Sequence, residues 1–315
     1  MSYSRDPNIP HLTHHASIPY KPHATRLQTL DIWLPSHPTS PNSTQTSPKP
    51  GTWIIYLHGG AWRDPTQDSL CAIPTLRALT TTHPSLLHSS IAGIASLNYR
   101  LSPYPSHATN PSTPDDVSRN VSHPSHVQDV RDALAYLINE YAVESWIGVG
   151  HSCGATLLLQ LPLLDQTEQI RESLRGLVLL AGIYDVPLFL ASHAPPMCPE
   201  HIAKIYRDIV AGAFGEEESV YAEVSPRRFG KGWLWGRYVV LGYSQEDELV
   251  EAAQREGMLG RYLEEGWVRS EREGGGTEAK VVDVRDLKMG HDEVWEDGEQ
   301  IAKLVAEVVE KVGAR

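Results

Sequence analysis

Residues 145–156 read Ser-Trp-Ile-Gly-Val-Gly-His-Ser-Cys-Gly-Ala-Thr, and this stretch decides the fold. An apolar run at 146–149 predicts a strand, and the residues after the glycines predict a helix. Between them, Gly-x-Ser-x-Gly centred on Ser152 is typical of a tight strand–turn–helix elbow that presents a nucleophile. Gly150 and Gly154 occupy the positions where such a turn leaves no room for a side chain. Short glycine patterns also arise by chance, so the prediction depends on partners elsewhere in the chain.

Apolar runs typical of strands recur along the chain, at 29–35, 53–57, 91–99, 176–181, 237–242 and 280–284. Between them, apolar residues recur with helical spacing, as in 127–141 and 301–312. Alternating strands and helices predict an α/β fold with a mostly parallel, doubly wound sheet and helices on both faces. Ligands of such sheets bind beyond the carboxyl ends of the strands, which is where Ser152 falls.

Composition divides the chain into an arm and one domain. Residues 1–28 are rich in Pro, His, Ser and Thr and predict a flexible N-terminal arm, and 29–315 predict a single domain. Within that domain, 186–232 break the strand–helix rhythm and predict a cap inserted over the carboxyl edge of the sheet. The Ser/Thr/Pro-rich stretches 36–50 and 104–125 predict surface additions that bear little on the chemistry.

The overall composition excludes several classes of protein. The chain has 315 residues, 41% of them hydrophobic, which is ample for a large core. A net charge of −12 argues against nucleic acid and anionic membrane surfaces as partners. The chain lacks a membrane-length apolar run, and its first ten residues lack a signal-peptide core, so we expect a cytoplasmic protein. Cys71, Cys153 and Cys198 are too few and too scattered for a disulfide framework or a zinc site.

Two residues near the C-terminus complete a candidate catalytic triad. A serine hydroxyl needs a base within reach, and the base needs an orienting acid. His291 follows the last predicted strand and Asp247 the strand before it, so both should lie at the same sheet edge as Ser152. The order Ser, Asp, His is that of α/β-hydrolases. Asp185, after an earlier strand, is the alternative acid, and a helix N-terminus alone would also explain an aspartate at 247.

The loop after the second predicted strand reads His58-Gly59-Gly60-Ala61-Trp62. Small residues let backbone N–H groups approach the oxygen of a tetrahedral intermediate. We expect the two glycines and Ala61 to form an oxyanion hole together with the N–H of Cys153. Trp62 is a candidate for stacking on an aryl substrate, and packing would explain it nearly as well. Cys153 lies one residue past the elbow apex, which favours a buried thiol over a nucleophile.

Five short stretches carry a family resemblance: LDIWLP at 30–35, HGGAW at 58–62, HPSHVQDVRDAL at 123–134, GHSCGA at 150–155 and GHDEV at 290–294. In these the chain resembles fungal kynurenine formamidases (arylformamidases), a branch of the esterase/lipase α/β-hydrolases. The resemblance implies a triad of Ser152, Asp247 and His291 that works without cofactor or metal. It also implies hydrolysis of N-formyl-L-kynurenine to L-kynurenine and formate, a step of tryptophan breakdown that can feed NAD synthesis.

Two other functions stay open at this point. A general carboxylesterase or lipase would use the same triad and oxyanion loop, and a non-catalytic binding protein could share the fold. In each case we expect a small-molecule ligand, with neither nucleic acid nor membrane as a partner, and a homodimer stays open. Arg227 or Arg228 of the predicted cap could meet a substrate carboxylate, but a solvated basic pair explains them as well.

Overall fold

The computed structural model describes residues 4–36, 51–270 and 279–313, and within them nine strands form one sheet. The strands are β1 Leu12–Pro19, β2 Thr29–Pro35, β3 Thr52–Leu57, β4 Ile91–Leu97, β5 Trp146–His151, β6 Leu174–Leu180, β7 Tyr238–Ser244, β8 Val268–Arg269 and β9 Val281–Leu287. Their order across the sheet is β1-β2-β4-β3-β5-β6-β7-β9-β8. The pairs β1–β2 and β2–β4 are antiparallel and the other neighbours are parallel. The predicted mostly parallel α/β sheet is confirmed.

Helices cover both faces of this sheet. In chain order they are α1 Ile73–Thr82, α2 Pro84–Ser89, α3 Ser125–Tyr141, α4 Cys153–Gln160, α5 Glu168–Ser173, α6 Val186–Ser192, α7 Glu200–Phe214, α8 Glu218–Glu223, α9 Ala252–Glu264, α10 Glu293–Asp297 and α11 Glu299–Gly313. Buried residues of α1, α10 and α11 belong to one core layer, and those of α3, α4 and α9 to the other. None of the helices in the described ranges has the length and apolarity needed to cross a membrane.

The central strand β3 shows why the sheet is buried on both sides. Trp53, Ile55 and Leu57 contribute to one core layer, while Ile54 and Tyr56 contribute to the other. Because side chains alternate between the faces of a strand, an unbroken apolar run supplies both layers at once. Each such fully buried side chain contributes about 1.5–3 kcal/mol to stability.

The structure corrects the prediction of a flexible arm over 1–28. Residues 12–19 form the edge strand β1, which pairs antiparallel with β2. The His14 ring stacks on Trp33 with centroids 4.6 Å apart, and its Nε2 lies 2.7 Å from Asp31 Oδ1. An edge strand with a solvent-facing side tolerates polar residues, which is why its composition resembles that of a loop.

The two stretches expected as surface additions differ in outcome. Beyond Ser36, the first of them, 36–50, lies outside the described residues. The second, 104–125, is held by specific contacts: buried Arg119 donates hydrogen bonds to the side chain and the backbone carbonyl of Asn110, at 2.9 and 2.8 Å. The N–H of Leu101 donates to the carbonyl of Ser118 at 2.8 Å, which attaches this stretch to the end of β4.

Buried neutral histidines should make the fold sensitive to acid. His126 on α3 is buried with its Nε2 3.1 Å from Ser102 Oγ, and burial lowers its pKa to about 3. Burial likewise lowers the pKa of His151 to about 3. An unfolded histidine titrates near pH 6.5, so between pH 6.5 and 3 the unfolded chain binds more protons than the folded chain. The free energy of unfolding therefore falls as pH decreases through this window.

We expect His126→Gln to reduce that pH dependence by up to one proton, or about 1.4 kcal/mol per pH unit. Denaturant unfolding followed from pH 7 to pH 4 measures the slope directly. His15→Gln, on the exposed side of β1, is the matched control and should leave the slope unchanged. An unaltered slope in the His126 variant would contradict the assignment of a neutral buried ring.

Candidate active site

The elbow between β5 and α4 has a strained backbone. Ser152 has φ 52° and ψ −126°, a conformation that residues other than glycine rarely adopt. A Cβ on Gly154 would lie 2.5 Å from the carbonyl oxygen of Leu57, and one on Gly150 would lie 2.7 Å from the backbone of Ala155. Both flanking glycines are therefore required by close backbone contacts, as the Gly-x-Ser-x-Gly pattern predicts.

An imidazole and a carboxylate meet at the ends of β9 and β7. His291 Nδ1 lies 2.8 Å from Asp247 Oδ2, and the backbone N–H groups of Leu249 and Val250 donate to Asp247 Oδ1 at 2.9 Å. Burial opposes ionisation of Asp247, but these hydrogen bonds outweigh it and hold its pKa below the ordinary value. A carboxylate beside Nδ1 favours the tautomer that carries its proton there, which leaves Nε2 of a neutral His291 as a proton acceptor.

The alternative acid, Asp185, is occupied elsewhere. Its Oδ1 accepts the N–H of Leu188 at 3.1 Å and caps α6. Both of its carboxylate oxygens also pair with Nε of Arg228, at 3.0 and 3.1 Å. Of the two acids weighed from the sequence, Asp247 is therefore the one that contacts His291.

Ser152 and His291 line the same cavity, which has a volume of about 500 Å³. One side of it is apolar and consists of Ile183, Phe189, Ile202, Ile205, Tyr206 and Ile209. Most of these come from α6 and α7, within the segment 186–232 that the sequence predicts as a cap. The other side is polar and carries Arg63, Asp64, Gln67, Glu248 and Asp292. A cavity of this size and mixed lining suits a small organic molecule.

The loop after β3 passes directly beside the elbow. A Cβ on Gly59 would lie 3.1 Å from Ser152 Cβ, and Gly60 and Ala61 line the cavity. Gly60, Ala61 and Trp62 all have positive φ, of 94°, 49° and 59°. Consecutive left-handed residues are costly outside glycine and persist where the surrounding structure enforces them. The role of this loop and of the Cys153 N–H as an oxyanion hole stays a prediction.

The prediction that Trp62 contacts the substrate is wrong. Its side chain is fully buried in the core and does not line the cavity. The ring packs edge-on against Phe214 with centroids 5.0 Å apart, and its backbone N–H donates to Cys153 Sγ at 3.3 Å. Burial of so large an apolar ring stabilises the fold, so the packing alternative accounts for this residue.

Cys153 contributes a buried thiol, and Tyr99 is a loop-bracing residue that the sequence analysis missed. Burial raises the pKa of Cys153 to about 11, so it is a neutral thiol at pH 7. Tyr99 Oη lies 3.5 Å from its Sγ and within hydrogen-bond distance of the carbonyl oxygens of His58 and Gly59, at 3.1 and 3.0 Å. The only signal for Tyr99 in the sequence is that it ends an apolar run.

Three groups beside the elbow could in principle ligate a metal. His151, His291 and Asp292 each offer one ligand atom within 4.8 Å of the others. However, Nδ1 of His291 is bonded to Asp247, and Oδ1 of Asp292 accepts from Trp295 Nε1 at 2.9 Å. Nε2 of His151 donates to the carbonyl oxygen of His291 at 3.0 Å and so braces that loop. The expectation that the site works without metal or cofactor stays a prediction.

Two further cavity residues come from places that the sequence analysis passed over. Tyr104 lines the cavity although it opens the stretch 104–125, so the prediction that this stretch bears little on the site is corrected. Glu248 lines it as well, and its Oε2 accepts the N–H of His291 at 3.1 Å. This contact helps to hold the loop that carries the imidazole.

The sheet, the elbow and the histidine–carboxylate pair define a hydrolase of the α/β-hydrolase fold. Esterase B of Lactobacillus rhamnosis superposes with a TM-score of 0.65 at 14% identity, over 98% of this chain and 90% of that one. An esterase of Pyrobaculum calidifontis superposes with a TM-score of 0.63 at 15% identity, over 99% and 88% of the two chains. At such low identity these likenesses concern the fold alone, and they agree with the predicted one.

Sequence relatives narrow the class. No protein-family model matches the chain. The kynurenine formamidase-like hydrolase fscH of Fusarium equiseti is 35% identical over 311 residues, which covers 94% of both chains. The kynurenine formamidase avaC of Aspergillus versicolor is 30% identical over 324 residues, covering 95% of this chain and 98% of its own. The chain belongs to the kynurenine formamidase family.

Proposed function

We propose that this chain hydrolyses N-formyl-L-kynurenine to L-kynurenine and formate, with Ser152 as nucleophile, His291 as base and Asp247 as orienting acid. The observation that carries the proposal is that Ser152 and His291 line one cavity, with His291 hydrogen-bonded to Asp247. Two relatives that match nearly the whole chain bear the name kynurenine formamidase or kynurenine formamidase-like hydrolase. This supports a formyl amide as the bond that is cleaved.

In the first half of the reaction, Ser152 Oγ forms a bond to the formyl carbon while its proton passes to His291 Nε2. The carbonyl oxygen gains the negative charge and is received by backbone N–H groups, of which Gly59, Gly60, Ala61 and Cys153 are the candidates. When this intermediate collapses, the C–N bond breaks and the proton on Nε2 goes to the departing aniline nitrogen. L-Kynurenine leaves, and a formyl ester remains on Ser152.

The second half of the reaction uses the same groups with water. His291 Nε2 takes a proton from a water molecule, whose oxygen bonds to the formyl carbon of the ester. The bond to Ser152 then breaks, the serine recovers its proton from His291, and formate is released. Asp247 stays ionised throughout and stabilises the imidazolium that forms in each half.

The two sides of the cavity fit the two parts of this substrate. A formyl group needs almost no space beyond the oxyanion loop. The benzoyl part of the substrate is flat and apolar, and the side formed by Phe189, Tyr206 and the isoleucines can bury it. Tyr206 is held in place, since its ring stacks on His193 at 3.7 Å and its Oη donates to the carbonyl of Leu249 at 3.2 Å.

We expect kcat/KM on N-formyl-L-kynurenine to exceed that on butyrate and octanoate esters by at least tenfold, about 1.4 kcal/mol of transition-state binding. Steady-state kinetics on the three substrates with one enzyme preparation measures this. A tenfold preference for the longer esters would instead identify a general esterase. Absence of turnover on all three, with a serine that an organophosphate does not label, would identify a binding protein.

A further inference from the structure

Arg63 is a nearly buried cation at the cavity. Its side chain lines the cavity, and the residue is 8% exposed. The guanidinium carbon lies 4.2 Å from the centroid of the Tyr104 ring, in a cation–π stack. Stacking fixes the plane of the guanidinium but leaves its N–H edge available for hydrogen bonds.

Among the described residues, no carboxylate pairs with this cation. Asp64 and Asp208 are close enough to attract it, but neither comes within 4.0 Å of it, and Oδ1 of Asp64 accepts the N–H and the hydroxyl of Thr66 at 2.8 and 2.7 Å. Burial lowers the pKa of Arg63 despite the attraction of these acids. A desolvated charge that lacks a hydrogen-bonded partner is costly, and such a charge in a ligand cavity indicates an anionic ligand group.

The other buried arginines make the contrast clear. Each donates a hydrogen bond from its guanidinium to a neighbouring side chain: Arg119 to Asn110, Arg255 to Asp286 and Arg261 to Glu265. The exposed basic pair that the sequence analysis considered is also occupied, since Arg228 pairs with Asp185 and Arg227 lies 3.9 Å from Glu264. Arg63 therefore differs from the arginines that serve the fold.

The loop that carries Tyr104 is preorganised around this position. The N–H of Tyr104 donates to Ser112 Oγ at 2.7 Å, and the N–H of Ser112 donates back to the carbonyl of Tyr104 at 3.1 Å. The Tyr104 ring also packs edge-on against His107, with centroids 5.0 Å apart. Arg63 itself follows the left-handed turn after Gly60, whose carbonyl accepts its N–H at 2.9 Å.

We propose that Arg63 binds the carboxylate of the substrate's amino-acid group and so makes the enzyme selective for aryl formamides that carry a carboxylate. The inference rests on the proposed function and adds the group that recognises the far end of the substrate. A planar guanidinium can donate two parallel N–H bonds to a carboxylate, and this is stronger in a desolvated site than in water. The apolar side of the cavity then holds the ring between the carboxylate and the formyl group.

The test compares N-formyl-L-kynurenine with its decarboxylated analogue, which keeps the aryl formamide and the amine. We expect wild-type kcat/KM to favour the carboxylate by about 10²-fold, the scale of a charge-assisted hydrogen-bonded pair. Arg63→Met should remove most of that preference, and Arg63→Lys should retain part of it. Arg227→Met, which removes an arginine outside the cavity, should leave the preference at the wild-type value.

Because the preference is a ratio measured on one preparation, partial unfolding of a variant cancels from it. Equal wild-type kcat/KM on the two compounds would overturn the inference and leave the proposed formamidase activity standing. An unchanged preference in Arg63→Met would overturn it too, as would an equal loss on both compounds. A wild-type enzyme that cleaves neither formamide would instead overturn the proposed function, and this inference with it.

Discussion

Ser152→Ala should lower kcat on N-formyl-L-kynurenine by at least about 10³-fold while the protein stays folded. The hydroxyl is the only group of this residue that the reaction uses, so its removal prevents the formyl ester from forming. Removing it also leaves no large void, because serine and alanine differ by a single oxygen. Circular dichroism and thermal unfolding of the variant establish that the fold persists, and formate release measures the loss.

Cys153→Ala is the matched control for this prediction. Its side chain is a buried, neutral thiol, and alanine keeps the backbone N–H that is proposed to face the oxyanion. We expect this variant to retain turnover to within about tenfold, because only the contacts of Sγ with Trp62 and Tyr99 are lost. Wild-type rates in the Ser152 variant together with a dead Cys153 variant would reassign the nucleophile.

Asp247→Asn should lower kcat by roughly 10³–10⁴-fold. The amide is nearly the same size, but it can donate a proton to Nδ1 of His291 and so favours the tautomer whose Nε2 carries hydrogen. Such a ring cannot accept the proton of Ser152, and the imidazolium loses its stabilising charge. Steady-state rates measured with saturating N-formyl-L-kynurenine test this.

Asp185→Asn is the control for the acid. Asp185 caps α6 and pairs with Arg228, so its replacement should affect stability more than turnover. We expect kcat within about tenfold of wild type and a lowered unfolding midpoint. A loss of turnover in this variant as large as that in Asp247→Asn would contradict the proposed division of roles.

Much of the fold could be predicted because the signals for it are local. The buried strands are unbroken apolar runs, and the Gly-x-Ser-x-Gly elbow is a backbone requirement that only glycine meets at its two flanks. Asp247 and His291 could be nominated because parallel strands bring their carboxyl ends to one edge. The contact between them, at 2.8 Å, is what that reasoning expects of an acid and a base.

What could not be predicted depends on contacts between distant parts of the chain. The strand β1 is polar because it lies at an edge, and only its pairing with β2 distinguishes it from a loop. Trp62 follows the glycine loop, yet its burial against Phe214 depends on α7, some 150 residues away. Arg63 and Tyr104 lie in separate loops that meet only in the folded protein, so neither carried a sequence signal of binding.

The central claim is that Ser152 is the nucleophile that cleaves N-formyl-L-kynurenine. The most direct measurement is titration with a fluorophosphonate, in which the loss of formylkynurenine hydrolysis is followed against the mass of the peptide that contains Ser152. We predict that activity falls in proportion to labelling of Ser152, and that the substrate slows both. Full labelling of Ser152 with hydrolysis intact, or inhibition with the label on another residue, would contradict the account.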